Sequence, residues 1–142
     1  MTFHYMEFLT YCHATEDPSK VKEALHVVTL NEVDWGEEKA EGYHGNPILI
    51  IKGKLSRNRE MDEVFKNLPK ETVESLLREV ERRIDDDCNF FFRIDKSQAY
   101  LGTVVLSNGD NTIRVRARVE SYPAKRETAV EKIKEYLDGL YH

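Results

Sequence analysis

Arg114, Arg116 and Arg118, spaced two apart, are the residues of this chain best placed to act as a chemical group. A guanidinium presents its donors as a planar fork that matches a carboxylate or a phosphate and also stacks on flat rings. Ile113, Val115, Ala117 and Val119 fall between and beside the arginines, so segment 112–119 alternates strictly. A period of two is that of a strand buried on one face. The three cations then share the other face at intervals of roughly 7 Å. Charges stacked this closely need either carboxylates across the sheet, for which Glu7, Asp95 and Glu120 are available, or an anionic ligand. Cross-strand pairs would contribute roughly 0.2–1 kcal/mol each. RNA would offer repeated phosphates and bases for the same guanidinium planes. The residues alone leave both readings open.

Lys52, Lys54, Arg93 and Lys96 stand on other segments that read as strands, and with the arginines they would form a basic, RNA-contacting sheet face. Tyr43, Phe91 and Tyr100 are the aromatic residues expected near it. A second candidate is Gly42-Tyr43-His44-Gly45-Asn46-Pro47, a dense turn cluster. It reads either as a tight turn or as a loop whose amides, with His44 and Asn46, contact a sugar-phosphate backbone. Metal binding finds little support: His4, His13, His26, His44 and Cys12 form no ligand pattern, and Asp85-Asp86-Asp87, which could hold a cation, reads first as a solvated helix end. There is no phosphate loop, dinucleotide fingerprint or nucleophile motif. The expectation is therefore a binding protein without catalytic residues, metal or cofactor.

A chain of 142 residues suits one domain spanning 1–142, with enough length for a core. The net charge of -5 excludes a uniformly basic nucleic-acid binder, but the charge is segregated. Residues 43–59 hold Lys52, Lys54, Arg57 and Arg59 and no acid. Residues 88–126 hold seven bases against three acids, whereas 60–87 hold ten acids against five bases. Positive charge thus sits on expected strands and negative charge on expected helices, the pattern of a molecule with a local basic patch. No apolar run approaches a membrane span and the first ten residues do not read as a leader, so a cytoplasmic location is expected. Cys12 and Cys88 stand apart and read as core thiols.

The elements that must position these groups follow in order. Phe3–His13 is an aromatic-rich strand. Thr15-Glu16-Asp17-Pro18 starts a helix whose stripe is Val21, Ala24, Leu25 and Val28. Residues 31–42 lose their period and suggest a loop or irregular edge. Ile48–Leu55 reads as a strand, its first half apolar on both faces and so expected to be covered on both. Arg57–Leu68 and Pro69–Ile84 are two helices divided at Asn67-Leu68-Pro69. Cys88–Lys96 is a strand and Tyr100–Leu106 its partner or continuation. Ser107-Asn108-Gly109-Asp110 is a hairpin signal into the arginine strand. A last helix runs from about Lys125 to Leu140. This order predicts an α+β domain, with helices mainly on one face of a mixed or antiparallel sheet.

Several stretches together resemble a family of small archaeal proteins described as predicted exosome subunits or RNA-binding-domain proteins. They are His13-Ala14-Thr15-Glu16-Asp17 with the helix Lys20-Val21-Lys22-Glu23-Ala24-Leu25, the turn Gly42–Pro47, Phe92–Ala99, the arginine strand and Tyr122-Pro123. The resemblance covers nearly the whole chain. It implies a fold similar to ribosomal protein L-five and an RNA-binding role linked to RNA processing or degradation by the exosome. The partners it implies are RNA, ribosomal RNA or exosome substrates among them, and exosome or ribosomal proteins. An adaptor that meets those proteins without touching RNA is the alternative.

Overall fold

Alternation at 112–119 builds an eight-residue strand, β5 (Thr112–Val119), in the computed structural model, which describes residues 2–42 and 45–141. Its neighbours are β1 (Phe3–His13) and β4 (Asn89–Asp95), both antiparallel to it. Beyond β1 lie β3 (Pro47–Leu55) and the edge strand β2 (Gly36–Glu41), which completes a five-stranded antiparallel sheet of order β2-β3-β1-β5-β4. The helices are α1 (Pro18–Thr29), α2 (Asn58–Lys66), α3 (Lys70–Glu79), α4 (Lys96–Tyr100) and α5 (Arg126–Gly139). The architecture is α+β, as expected.

The pleat sorts each strand's residues between a helix-covered face and an open one. Met6 and Phe8 of β1, Ile51 and Leu55 of β3, Phe90, Phe92 and Ile94 of β4, and Ile113, Val115 and Ala117 of β5 are buried on the covered face. Phe65 of α2 is the hub: its ring stacks on Phe3 at 5.1 Å, approaches Phe90 and Phe92, and meets Tyr136 of α5 edge-on. Tyr136 donates a hydrogen bond of 2.8 Å to Asp62. Burial, and then that contact, push its hydroxyl pKa far above the ordinary tyrosine value. On the same side Trp35 lies edge-on to Phe8, 6.3 Å away, directly over Gly53. A Cβ at Gly53 would come within 2.4 Å of the indole ring, so only glycine lets the indole sit so close to the strand.

Local signals explain most boundaries. The Asp17 side chain accepts from Ser19 Oγ at 2.8 Å and from Ser19 N at 3.0 Å, two bonds that lower its pKa in that order, the second capping α1, and Pro18 opens the helix. Leu30, with φ of 61°, closes it in the left-handed region. The stretch expected as a loop or irregular edge does contain the edge strand β2, mostly exposed. The second long helix ends earlier than its stripe suggests, because Val80–Arg82 tightens into a 3-10 turn and Ile84 bridges to Phe90 beside the edge of β4.

Two expectations need correction. Tyr100–Leu106 is not a strand: Asp95 accepts from Gln98 N at 2.8 Å and caps α4, and only Leu106 returns to bridge Ile94. The hairpin signal therefore ends a loop, and β4 meets β5 through that detour. The first half of β3 is not covered on both faces either. Ile48 and Ile50 point to the open face and are only half-buried, because the long helices pack on the opposite side, where Leu49 borders the core.

Candidate nucleic-acid interface

The register lays the open face out in rows. Lys52 of β3 lies opposite Leu9, Leu9 opposite Arg114, and Arg114 opposite Arg93. This row crosses three strand gaps, about 14 Å, and bears three cations and no acid. The next row is Lys54, Glu7, Arg116 and Phe91, and the one beyond it Tyr5, Arg118 and Asn89. The sheet thus brings Arg114, Arg116, Arg118, Arg93, Lys52 and Lys54 to one face.

Their surroundings differ. Arg116 donates to Glu7 at 2.8 Å, so one of the cross-strand pairs weighed from sequence does form. Arg114 lies over the ring of Tyr11, 5.6 Å from its centroid, and Lys54 over Tyr5 at 4.4 Å. These rings attract the cations without neutralising them. Arg118 is half-buried and lies close enough to Asp85 to favour its ionised form. Desolvation of Asp85 opposes its charge. Hydrogen bonds from Asn89 and Asp87, with Arg118, outweigh that and lower its pKa. Among the described residues, no carboxylate lies within ion-pairing distance of Arg93, Arg114, Lys52 or Lys54.

A groove of about 640 Å³ opens over the first two rows. Its lining holds the cations Lys52, Arg83, Arg93, Arg114 and Arg116 against the single carboxylate Glu7. Arg83 and the loop residues Ser107 and Asn108 wall it; the sequence marked the latter two only as a turn and Arg83 not at all. Arg83 reads as helical from its spacing, yet its carbonyl accepts from Phe91 N at 2.9 Å because the chain after the 3-10 turn runs beside β4. Its guanidinium donates through Nε and Nη2 to Glu79, at 2.8 and 2.6 Å, and this contact holds the Glu79 carboxyl below the usual range. On the other side Ser107 N donates to Arg93 O at 3.0 Å, which fixes the loop above the groove.

Lys96 does not belong to this surface. It begins α4 instead of ending β4, is 4% exposed, and donates to Tyr11 O at 2.5 Å and to Glu16 at 2.9 and 3.0 Å. Asn46 is exposed in the β2–β3 turn, where its carbonyl accepts from Gly42 N, and lies outside the groove. His44 and Tyr43 fall outside the described residues. Tyr100 stands on α4, away from the open face, with Lys20 near its ring. Among the described residues no group of acidic, histidine or cysteine side chains is arranged to hold a metal ion.

The face just described lies within a stretch, residues 5–119, that matches a family model named RNA_binding and described as RNA binding. The chain belongs to that family. It is 36% identical over 145 residues to a protein of Pyrococcus abyssi named as an RNA-binding protein, with 96% of this chain and 94% of the relative covered. An uncharacterised protein of Methanocaldococcus jannaschii is 33% identical over 138 residues, covering 88% of this chain and 89% of its own. Among solved structures, a DUF54 protein from Methanothermobacter thermautotrophicus has the same fold with a TM-score of 0.87. It is 37% identical, over 96% of this chain and 99% of that one.

Proposed function

We propose that this protein binds RNA through the open face of its sheet. We further propose that it acts in the cytoplasm as a non-catalytic accessory factor in RNA processing or degradation, linked to the exosome. One observation carries the binding reading. The row of Lys52, Arg114 and Arg93 places three cations without a carboxylate partner on the floor of a groove that no helix covers. Fixed guanidinium groups of this kind suit phosphates, whose contacts position a nucleic acid without reading its sequence. Membership of the RNA_binding family and the name of the Pyrococcus abyssi relative support the same reading. An overall acidic chain binds RNA here because the phosphate contacts act over a screening distance of about 8 Å at physiological salt, so the local patch decides.

Fluorescence anisotropy of a labelled RNA across a salt series tests this. Log affinity is expected to fall with log salt at a slope of about -0.7 per phosphate neutralised. Changing Lys52, Arg93 and Arg114 together to Ala should flatten the slope by about two units while circular dichroism stays unchanged. Absence of binding at low salt sinks the reading and favours an adaptor whose basic face meets an acidic protein surface.

A further inference from the structure

We infer that the groove takes single-stranded RNA, with one base stacked on Phe91 and the adjoining phosphates held by Arg114 and Arg93. The inference rests on the RNA-binding reading above and names the form of RNA.

Phe91 is the observation that points there. β4 carries three consecutive phenylalanines, of which Phe90 and Phe92 are buried at 0% and 1% exposure and Phe91 is left 41% exposed. Its ring stands on the open face between Arg93, two residues along the strand, and Arg116, directly opposite on β5. Exposing that much aromatic surface among cations gives the fold nothing, since the covered side already holds the phenylalanine core. Tyr5 and Tyr11 share the face, but Lys54 and Arg114 already lie over their rings. Among the described residues Phe91 has neither a ring nor a cation against its plane. Of the aromatic residues lining the groove it is the one whose ring is exposed.

A positively charged groove that follows the backbone, with an aromatic ring for the base, is the general means of binding single strands. A duplex fits this surface poorly. Its bases are stacked inside, where Phe91 cannot reach them, and it is recognised by shape across its wide minor groove. Here the surface is concave: Arg83 and the Ser107–Asn108 loop rise beside the floor, and none of the groove's lining residues lies on a long helix. The volume of about 640 Å³ falls within the range of sites that enclose a small ligand, so it suits one or two nucleotides of a longer strand. Ser107 Oγ accepts from Gly109 N at 3.1 Å, which leaves its own O–H to donate to a base edge.

Three labelled probes separate the possibilities: a short single-stranded RNA, the same strand in a duplex, and a ribose-phosphate strand of equal length without bases. The single strand is expected to bind tightest. Phe91→Ala should weaken it by roughly five- to a hundredfold with an unchanged salt slope, because the ring stacks and carries no charge. Phe91→Trp, which keeps a stacking surface, should hold or raise the affinity, and the baseless strand should bind the wild type and the Phe91→Ala variant alike. If the duplex binds as tightly as the single strand, or Phe91→Ala leaves single-strand affinity unchanged, the inference is overturned while RNA binding stands. If none of the probes binds at low salt, both readings fall.

Discussion

Lys96 and Arg114 are both cations on or beside sheet strands, each next to a residue of β1, and the molecule uses them in opposite ways. Lys96 is buried where β4 gives way to α4, and its ammonium joins the carbonyl of Tyr11 to the carboxylate of Glu16 ahead of α1. Arg114, the third residue of β5, rests on the ring of the same Tyr11 and faces the groove without a carboxylate. One tyrosine therefore receives a structural cation on its backbone and an available cation on its ring. Charge type says nothing about role here; what each cation can still bind is decided by the partners already around it.

The contrast can be broken by substitution. Lys96→Met should cost the most, about 3 kcal/mol of stability, because it strands Glu16 and the Tyr11 carbonyl without their shared donor. A lowered denaturant midpoint would register this, and the salt dependence of RNA binding should not change. Lys52→Ala or Arg93→Ala should do the reverse, each weakening RNA roughly fivefold at 0.1 M salt if it neutralises one phosphate. Their unfolding midpoints should stay within about 0.5 kcal/mol of the wild type, as for other surface changes. Glu7→Gln sharpens the comparison with the smallest effect. It releases Arg116 from its 2.8 Å ion pair, costs less than about 1 kcal/mol of stability, and should tighten RNA binding by a few-fold. Weaker binding by the Glu7→Gln variant would mean that Arg116 works only when Glu7 holds it in place.

The alternation around the arginines and the stripes of α1, α2, α3 and α5 could be read directly from the chain, because they record which side of each element meets the core. Lys96 could not. Its burial depends on Tyr11 and Glu16, some 80 residues away, and its place two residues after Ile94 matches the strand period as well as it does a helix start. The helix signal was present in Asp95-Lys96-Ser97-Gln98, a capping side chain three residues before Gln98, but the preceding β alternation of Phe90, Phe92 and Ile94 extends plausibly through it. Arg83 was hidden for a different reason: a helix that tightens and stops one turn early leaves no mark in its apolar spacing. Glu7 was foreseeable as a partner for an arginine, though which one depended on the β1–β5 register.

The indole that lies over Gly53 has a practical consequence. Trp35 is the only tryptophan in the chain, and it packs on the helix-covered side of β3 while Lys52 and Lys54 point the other way. Its emission should therefore report loss of the packed interior and stay insensitive to bases arriving at Phe91 across the sheet. The protein carries an internal optical gauge, one that lets a single titration distinguish a variant that has stopped binding from one that has come apart.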